Sequence, residues 1–323
     1  MLAIGIWPWI AFNLGVLVLL ALDLGVFNRK AHVISLKEAT IWSAVWIALS
    51  LAFNAGLYFL LGPEPALEFF TGYLIEKSLS IDNIFVFVLV FTYFNVEASY
   101  QHRVLFWGVL GALVMRGILI AVGATLLEQF HWIIYLFGAF LIFTGVRMAF
   151  QRETEVHPEK NPILKLVRRV IPVTENYERD HFFVRRAGKL LATPLLLVLI
   201  VVETTDLLFA VDSIPAIFAV TQDPFIVYTS NVCAILGLRS LYFVLANVVH
   251  KIYYLKLGLA VILAFVGVKM VLVDIFHIPT FLSLLVIALI LAAAVVASLI
   301  RDRRLKNVEE AQQSVVEQSH TDV

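Results

Sequence analysis

The 323-residue chain carries 24 Lys and Arg against 24 Asp and Glu, so its formal net charge is zero, and only 15% of its residues are charged. Hydrophobic residues make up 61% and the mean hydropathy is +0.92, a balance that excludes an ordinary soluble domain. The lipid bilayer is the expected partner and nucleic acid is not.

Windows of about 20 apolar residues, the length that crosses a hydrocarbon core, recur along nearly the whole chain. They predict nine transmembrane helices, near 5–27, 39–61, 70–94, 104–127, 131–150, 191–220, 226–250, 255–274 and 280–300. Continuous runs such as FLSLLVIALILAAAVVASLI argue against a transmembrane barrel, whose strands alternate. The expected fold class is therefore an all-α polytopic membrane protein. Its units are two N-terminal helices (1–61), spans 3–5 (62–150), a charged connector (151–190), spans 6–8 (191–274), a ninth helix (275–300) and a polar tail (301–323) whose last dozen residues read as disordered.

Basic residues set the orientation. All of the 24 Lys and Arg except Lys77, Arg116, Arg147, Arg239 and Lys269 fall in the connections after spans 1, 3, 5 and 7, at their edge (Lys256) or in the tail. The intervening connections (62–69, 128–130, 221–225 and 275–279) carry none. The positive-inside rule then places the N-terminus outside and the C-terminus in the cytoplasm. The first span has no basic residues before it, so it reads as a retained helix, not a cleaved signal peptide. Within the connector, LKLVRRV suits a short helix lying against anionic headgroups. Cys233 is the single cysteine and makes no intramolecular disulfide, so packing is its expected role.

Spans 3 and 6 break the apolar pattern with acids. Span 3 reads EKSLSIDN, placing Glu76 and Asp82 six apart; span 6 reads ETTDLLFAVDSIPAIF, with Glu203 and then Asp206 and Asp212 six apart. Each is followed by a span with a central arginine, Arg116 or Arg239, and then by a near-identical ending, FTGVRM at 143–148 or FVGVKM at 265–270. Spans 3–5 and 6–8 thus read as a repeat, and an odd unit repeated in tandem inverts its topology, as in secondary transporters with sites near midplane.

Magnitude decides which way the acids face. An ionised Asp at a helix centre costs about 2.5–3.5 kcal/mol, so the three of span 6 cost roughly 8–10, close to what about twenty apolar residues return. These acids should face the bundle interior, water, a cation or one another. Positions six apart differ by about 120° on a regular helix, so convergence of each pair calls for local unwinding. Discontinuities are predicted near Ser80–Asn83 and near Asp212–Pro215, where proline removes a backbone donor. The interior set offers carboxylates, the amides Asn83 and Asn231, and the hydroxyls Ser80, Thr204 and Ser213. With four methionines, one cysteine and no mid-span histidine, soft Cu(I) or Zn sites are not expected; an all-oxygen site suits Mg²⁺, Ca²⁺ or Mn²⁺.

The stretches LIEKSLSIDNIFVF and ETTDLLFAVDSIPAIFAVTQDPFIVYTSN, followed by AILGLRSLYF, strongly resemble the TerC family of integral membrane proteins, and the likeness extends through HFFVRRAGKLLATPLLLVLI to essentially all spans. It looks closest to the Alx-type members of bacterial inner membranes. The resemblance implies Mn²⁺ export or manganese homeostasis; family names also record tellurium resistance and redox modulation. Carried over by position, the motif acids are Glu76, Asp82, Glu203, Asp206 and Asp212.

The expected metal ligands are Glu76, Asp82, Asn83, Glu203, Asp206, Asp212 and Ser213, with Arg116, Arg239 and Lys77 as counter-ions. Glu203 alternatively gates or carries protons. Asp23 is either a helix-end residue or part of an inner vestibule. Asn13 and Asn54 should hydrogen-bond between helices, and His102, His131 and His250 should sit at the interfaces. The expected function is a divalent-cation transporter with the metal as cargo and no cofactor. The alternative is a scaffold or redox modulator whose buried charges only hold helices together. A membrane enzyme is not expected, since no nucleophile–base pair, phosphate loop or cofactor motif is present. A homo-oligomer or a metal-receiving protein partner stays open.

Overall fold

The computed structural model describes residues 5–22, 35–150, 164, 171–178, 180–186, 189–246, 254–276 and 278–321, the last with backbone alone from 303 onward. The elements in chain order are α1 (Ile6–Leu22), α2 (Leu36–Leu61), α3 (Pro63–Tyr93), α4 (Ala98–Gln129), α5 (Ile133–Phe150), β1 (Phe183–Arg186), β2 (Lys189–Ala192), α6 (Pro194–Phe218), α7 (Pro224–Leu236), α8 (Leu238–Leu245), α9 (Leu255–Val271) and α10 (Thr280–Thr321). Among the described residues, five helices are long and apolar enough to cross a membrane, or six if α7 and α8, bent by 43° at their junction, count as one broken span. The chain is a multi-pass helical membrane protein. Large apolar side chains cover its outside, among them Phe59, Leu60 and Phe150, as lipid contact demands.

Helix starts follow local chemistry. Pro63, Pro194 and Pro224 stand in the first turns of α3, α6 and α7, where a missing N–H costs nothing. Asp223 caps α7, its Oδ1 accepting from the backbone N–H groups of Phe225 and Ile226 at 3.0 and 3.3 Å. Gly62, at φ 98°, lets α2 end and α3 begin with one residue between them.

The predicted discontinuities are not where the sequence placed them. Both acid-bearing helices run unbroken, α3 through Ser80–Asn83 and α6 through Asp212–Pro215. Pro215 lies in the last turn of α6, so it frees only a carbonyl near a helix end that is about to stop at Phe218. The break instead falls at Gly237, between α7 and α8. A second correction concerns the tail: α10 continues to Thr321, because its Lys, Arg, Glu, Gln and Ala are strong helix formers.

α5 and α9 pack closely along small residues. A Cβ at Gly138 would lie 2.8 Å from the Gly267 carbonyl oxygen, and one at Gly267 would lie 2.7 Å from that of Gly138. Further along, a Cβ at Gly145 would lie 2.7 Å from the Ala260 carbonyl oxygen. Glycine is therefore needed at both crossings.

The connector contributes structure that hydropathy did not announce. β1 and β2 form an antiparallel hairpin pairing Phe183 with Ala192 and Arg185 with Leu190. It is tied down by an Arg103–Asp180 ion pair, by Tyr177 donating to the Phe94 carbonyl at 2.7 Å, and by Thr193 donating to that of His181 at 2.6 Å. Burial opposes ionisation of Asp180, but the hydrogen bond and charge of Arg103 outweigh it and hold the carboxyl below its usual range. Of LKLVRRV only Leu164 is described, as a buried core residue; the rest, like Asp23 and His250, lies outside the described residues.

Candidate cation site

Arg116 of α4 is the centre of the buried charge, at 1% exposure. Its Nη1 donates to Glu76 Oε1 on α3 and, at 3.2 Å, to Ser213 Oγ on α6. Its Nε and Nη2 form a fork on Asp206, each at 3.2 Å from one carboxylate oxygen. Glu76 also accepts from Asn231 Nδ2 at 3.1 Å, and Asp206 from Asn83 Nδ2 at 3.4 Å. One guanidinium thus holds two carboxylates from two helices, an arrangement stable only because each partner is hydrogen-bonded as well as paired.

The later acid of each pair points elsewhere. Asp212 accepts from the Thr144 hydroxyl of α5 at 3.3 Å and lies in electrostatic reach of Arg147. Asp82 lies in electrostatic reach of Lys256 on α9. Both nevertheless meet the Arg116 cluster at one small cavity of about 10 Å³, lined by Glu76, Leu79, Asp82, Asn83, Arg116, Met148, Phe209, Asp212, Ser213 and Leu263. That is room for about one water molecule or a bare ion. Leu79, Asp82 and Asn83 of α3 face Phe209, Asp212 and Ser213 of α6, the same positions counted from the first acid of each pair. Two intact helices therefore converge on a shared space by crossing, and the 120° offset aims one acid at α4 and the other at α5 and α9.

Of the expected ligands, Glu76, Asp82, Asn83, Asp212 and Ser213 line this cavity, and Asp206 stands behind it against Arg116. Asp206 also lines a second cavity of about 10 Å³ together with Arg239. Glu203 is not gathered in. It packs on Gly111 of α4, where a Cβ would lie 2.0 Å from its Oε1 and force the side chain to shift, and its buried Oε2 has no hydrogen-bond partner. Among the described residues, no three His, Cys, Asp or Glu side chains form a ready-made metal cluster; the guanidinium occupies the space between Glu76 and Asp206.

The expected counter-ions divide. Arg116 fills that role. Arg239, on α8, lies 3.1 Å from His102 Nε2, and His102, near the start of α4, is buried at 8% exposure. Lys77 turns away from the acids and donates to the Ala234 carbonyl at 3.1 Å. Ala234 sits in the turn of α7 just before the break, and Lys77 Nζ would be 2.8 Å from a Cβ at Gly237. Lys77 thus satisfies a carbonyl at the interrupted helix. His131, between α4 and α5, is exposed and bonded to Asp274 at 3.1 Å. Asn13 accepts from Tyr228 of α7 at 2.7 Å, whereas Asn54 Oδ1 is buried without a partner. Two residues of the FTGVRM motif add to the site beyond the expected set: Met148 lines the cavity and Thr144 hydrogen-bonds Asp212 from behind it.

Two further cavities frame the site. One of about 230 Å³ lies at the opposite end of the bundle from the α5 C-terminus, with Glu64, Glu68, Thr221, Lys269 and Met270 in its walls. The other, about 700 Å³, lies among α1, α2 and α7; it is apolar, has Cys233 in its lining and has no carboxylate there.

The family profile described as integral membrane protein TerC family matches residues 61–306, from the last residue of α2 into α10. The chain is 57% identical over 295 residues to the uncharacterized membrane protein STKORF319 of Myxococcus xanthus, covering 91% of this chain and 92% of that one. It is 52% identical over 285 residues to the Escherichia coli K12 protein named "Putative membrane-bound redox modulator Alx", covering 85% and 89%. An uncharacterized membrane protein of Rickettsia bellii is 41% identical over 304 residues, covering 94% and 99%. No solved structure matches. With both acid-bearing helices and Arg116 inside one profile that spans residues 61–306, the chain belongs to the TerC family of integral membrane proteins.

Proposed function

We propose that this chain exports Mn²⁺ across the bacterial inner membrane by alternating access, through the acidic cavity between α3 and α6. The observation that carries the reading is the cavity itself. Glu76, Asp82, Asn83, Asp212 and Ser213 reach one ion-sized space from two helices inside an apolar bundle, and intramembrane carboxylates are retained where they handle ions. Arg116 supplies the cation-free state with its own positive charge. A divalent ion seated among Glu76, Asp82 and Asp212 competes with the guanidinium for carboxylate oxygen, so binding and side-chain movement are coupled.

The proposal includes nine spans, N-terminus outside, with spans 3–5 and 6–8 as inverted repeats. Its support is reciprocity. Aligning FTGVRM with FVGVKM pairs Gly145 with Gly267 and Gly138 with Ala260, and the two close crossings, Gly138 to Gly267 and Gly145 to Ala260, exchange under that pairing. The 230 Å³ cavity with Glu64 and Glu68 is then the external vestibule.

The second reading, a non-transporting scaffold or redox modulator, is favoured by the completeness of the Arg116 cluster, in which the guanidinium already engages Glu76, Asp206 and Ser213. Expression in bacteria lacking their own Mn²⁺ exporter separates the two. Transport predicts that cellular Mn²⁺ falls with the wild-type chain and not with Asp82→Asn or Asp212→Asn. Equal Mn²⁺ loss with both variants would remove the ligand assignment.

A further inference from the structure

We infer that Met148 is the specificity-determining residue of this site, its thioether favouring borderline and soft divalent cations over Mg²⁺ and Ca²⁺. The inference rests on the cation-site reading above and adds to it the one ligand type the sequence argument had set aside.

Every polar group lining the small cavity offers oxygen, apart from the Arg116 guanidinium and the thioether of Met148. Met148 stands one helical turn beyond Thr144, whose hydroxyl holds Asp212, so both address the same face of α5. It lies at the partly buried edge of a hydrophobic cluster. Its counterpart under the repeat pairing, Met270, is 1% exposed and lines the outer cavity instead. The two halves therefore differ in that Met148 lines the acid-bearing cavity and Met270 the outer one.

Size and softness together give the position its consequence. At about 10 Å³ the cavity admits an ion without its hydration shell, so the ion must exchange water for protein ligands. Mg²⁺ dehydrates reluctantly and takes oxygen, and Ca²⁺ likewise prefers oxygen. A thioether gives such hard ions little. It is polarizable and uncharged, so it adds attraction for softer ions without adding a buried charge. Carboxylates then set affinity for any divalent cation, and sulfur sets the ranking among them. A methionine that only filled a gap would affect all ions alike.

The test is equilibrium binding to the purified full-length chain in lipid nanodiscs, reading free Mn²⁺ by its electron paramagnetic resonance signal, with Cd²⁺, Mg²⁺ and Ca²⁺ as competitors. Met148→Leu keeps the volume and removes the sulfur. It should weaken Cd²⁺ about tenfold, the lower range for losing one supporting interaction at a metal site, weaken Mn²⁺ less, and leave Mg²⁺ and Ca²⁺ unchanged. An unchanged series, or an equal shift of all four ions, would overturn the inference. Asp82→Asn is measured alongside. If it abolishes Mn²⁺ binding while Met148→Leu leaves the ranking intact, the cation site stands and the sulfur role falls. If the wild-type chain binds no Mn²⁺, both fall.

Discussion

The two arginine-bearing regions of the molecule began as near-equivalents in sequence and ended in different work. Arg116 lies in an unbroken 32-residue helix and reaches across to Glu76 and Asp206. Arg239 lies just past the Gly237 break, in an 8-residue helix, and bonds His102. Similar spacing along the chain thus does not give similar chemistry. A 43° bend ahead of one arginine is enough to send it to another partner. The half with the straight helix supplies the charge that neutralises acids from both halves, and the half with the bent helix needs Lys77 from the other half to satisfy its interrupted carbonyl.

The largest effect should come from removing the guanidinium. Arg116→Gln leaves Glu76 and Asp206 buried without their cation, and breaking a buried pair in this way costs about 3–5 kcal/mol. The thermal midpoint of the detergent-purified protein should fall sharply. Arg239→Gln, which loses the bond to His102, should cost only about 1–3 kcal/mol. Equal losses would erase the contrast between the two arginines.

The repeat pairing is probed by glycine substitutions of intermediate effect. Gly267→Ala and Gly145→Ala each drive a Cβ to within 2.7 Å of a backbone carbonyl oxygen on the facing helix, an overpacking worth about 1–3 kcal/mol. Similar destabilisation by the two in thermal unfolding is expected if they sit at equivalent positions. Lys77→Met belongs to the same range, since it leaves the Ala234 carbonyl short of a donor at about 1–3 kcal/mol, and Gly237→Ala should disturb the same contact.

The smallest effect lies in the connector. Arg103 and Asp180 have side chains 37% and 30% exposed, so the pair contributes at most about 0.2–1 kcal/mol after screening. Because the Asp180 carboxyl is held below its usual range, this contribution is present above the unfolded carboxyl pKa and is lost as pH falls through the folded one. The protection factors of the hairpin amides, which are relative to the intrinsic exchange rate at each pH, should fall at acid pH in the wild type and show less pH dependence in Asp180→Asn.

Much of this was legible in the sequence because charges stand out in an apolar run. The helical stretches, the acids, the buried arginine and the interior amides were all marked by composition alone. What stayed hidden depended on contacts between distant residues. Pro215 suggested a break by a local rule, but its place in the last turn made it harmless, while Gly237 broke a helix with support from Lys77, far away in the chain. Choosing between Arg116 and Arg239 required the bend. Thr144, which bonds Asp212, and Met148, which lines the cavity, carry no charge to betray these roles. Glu203 matched the acids by motif but not by place, since it packs on Gly111 away from the shared cavity.

The central claim is that Asp82 and Asp212, brought to one cavity from two helices, move a divalent cation. Its most direct test is Mn²⁺ flux by the purified wild-type, Asp82→Asn and Asp212→Asn chains in liposomes. The account predicts protein-dependent flux in the wild type and none in either variant. Wild-type flux no greater than that of empty liposomes, or undiminished flux in both variants, would contradict it.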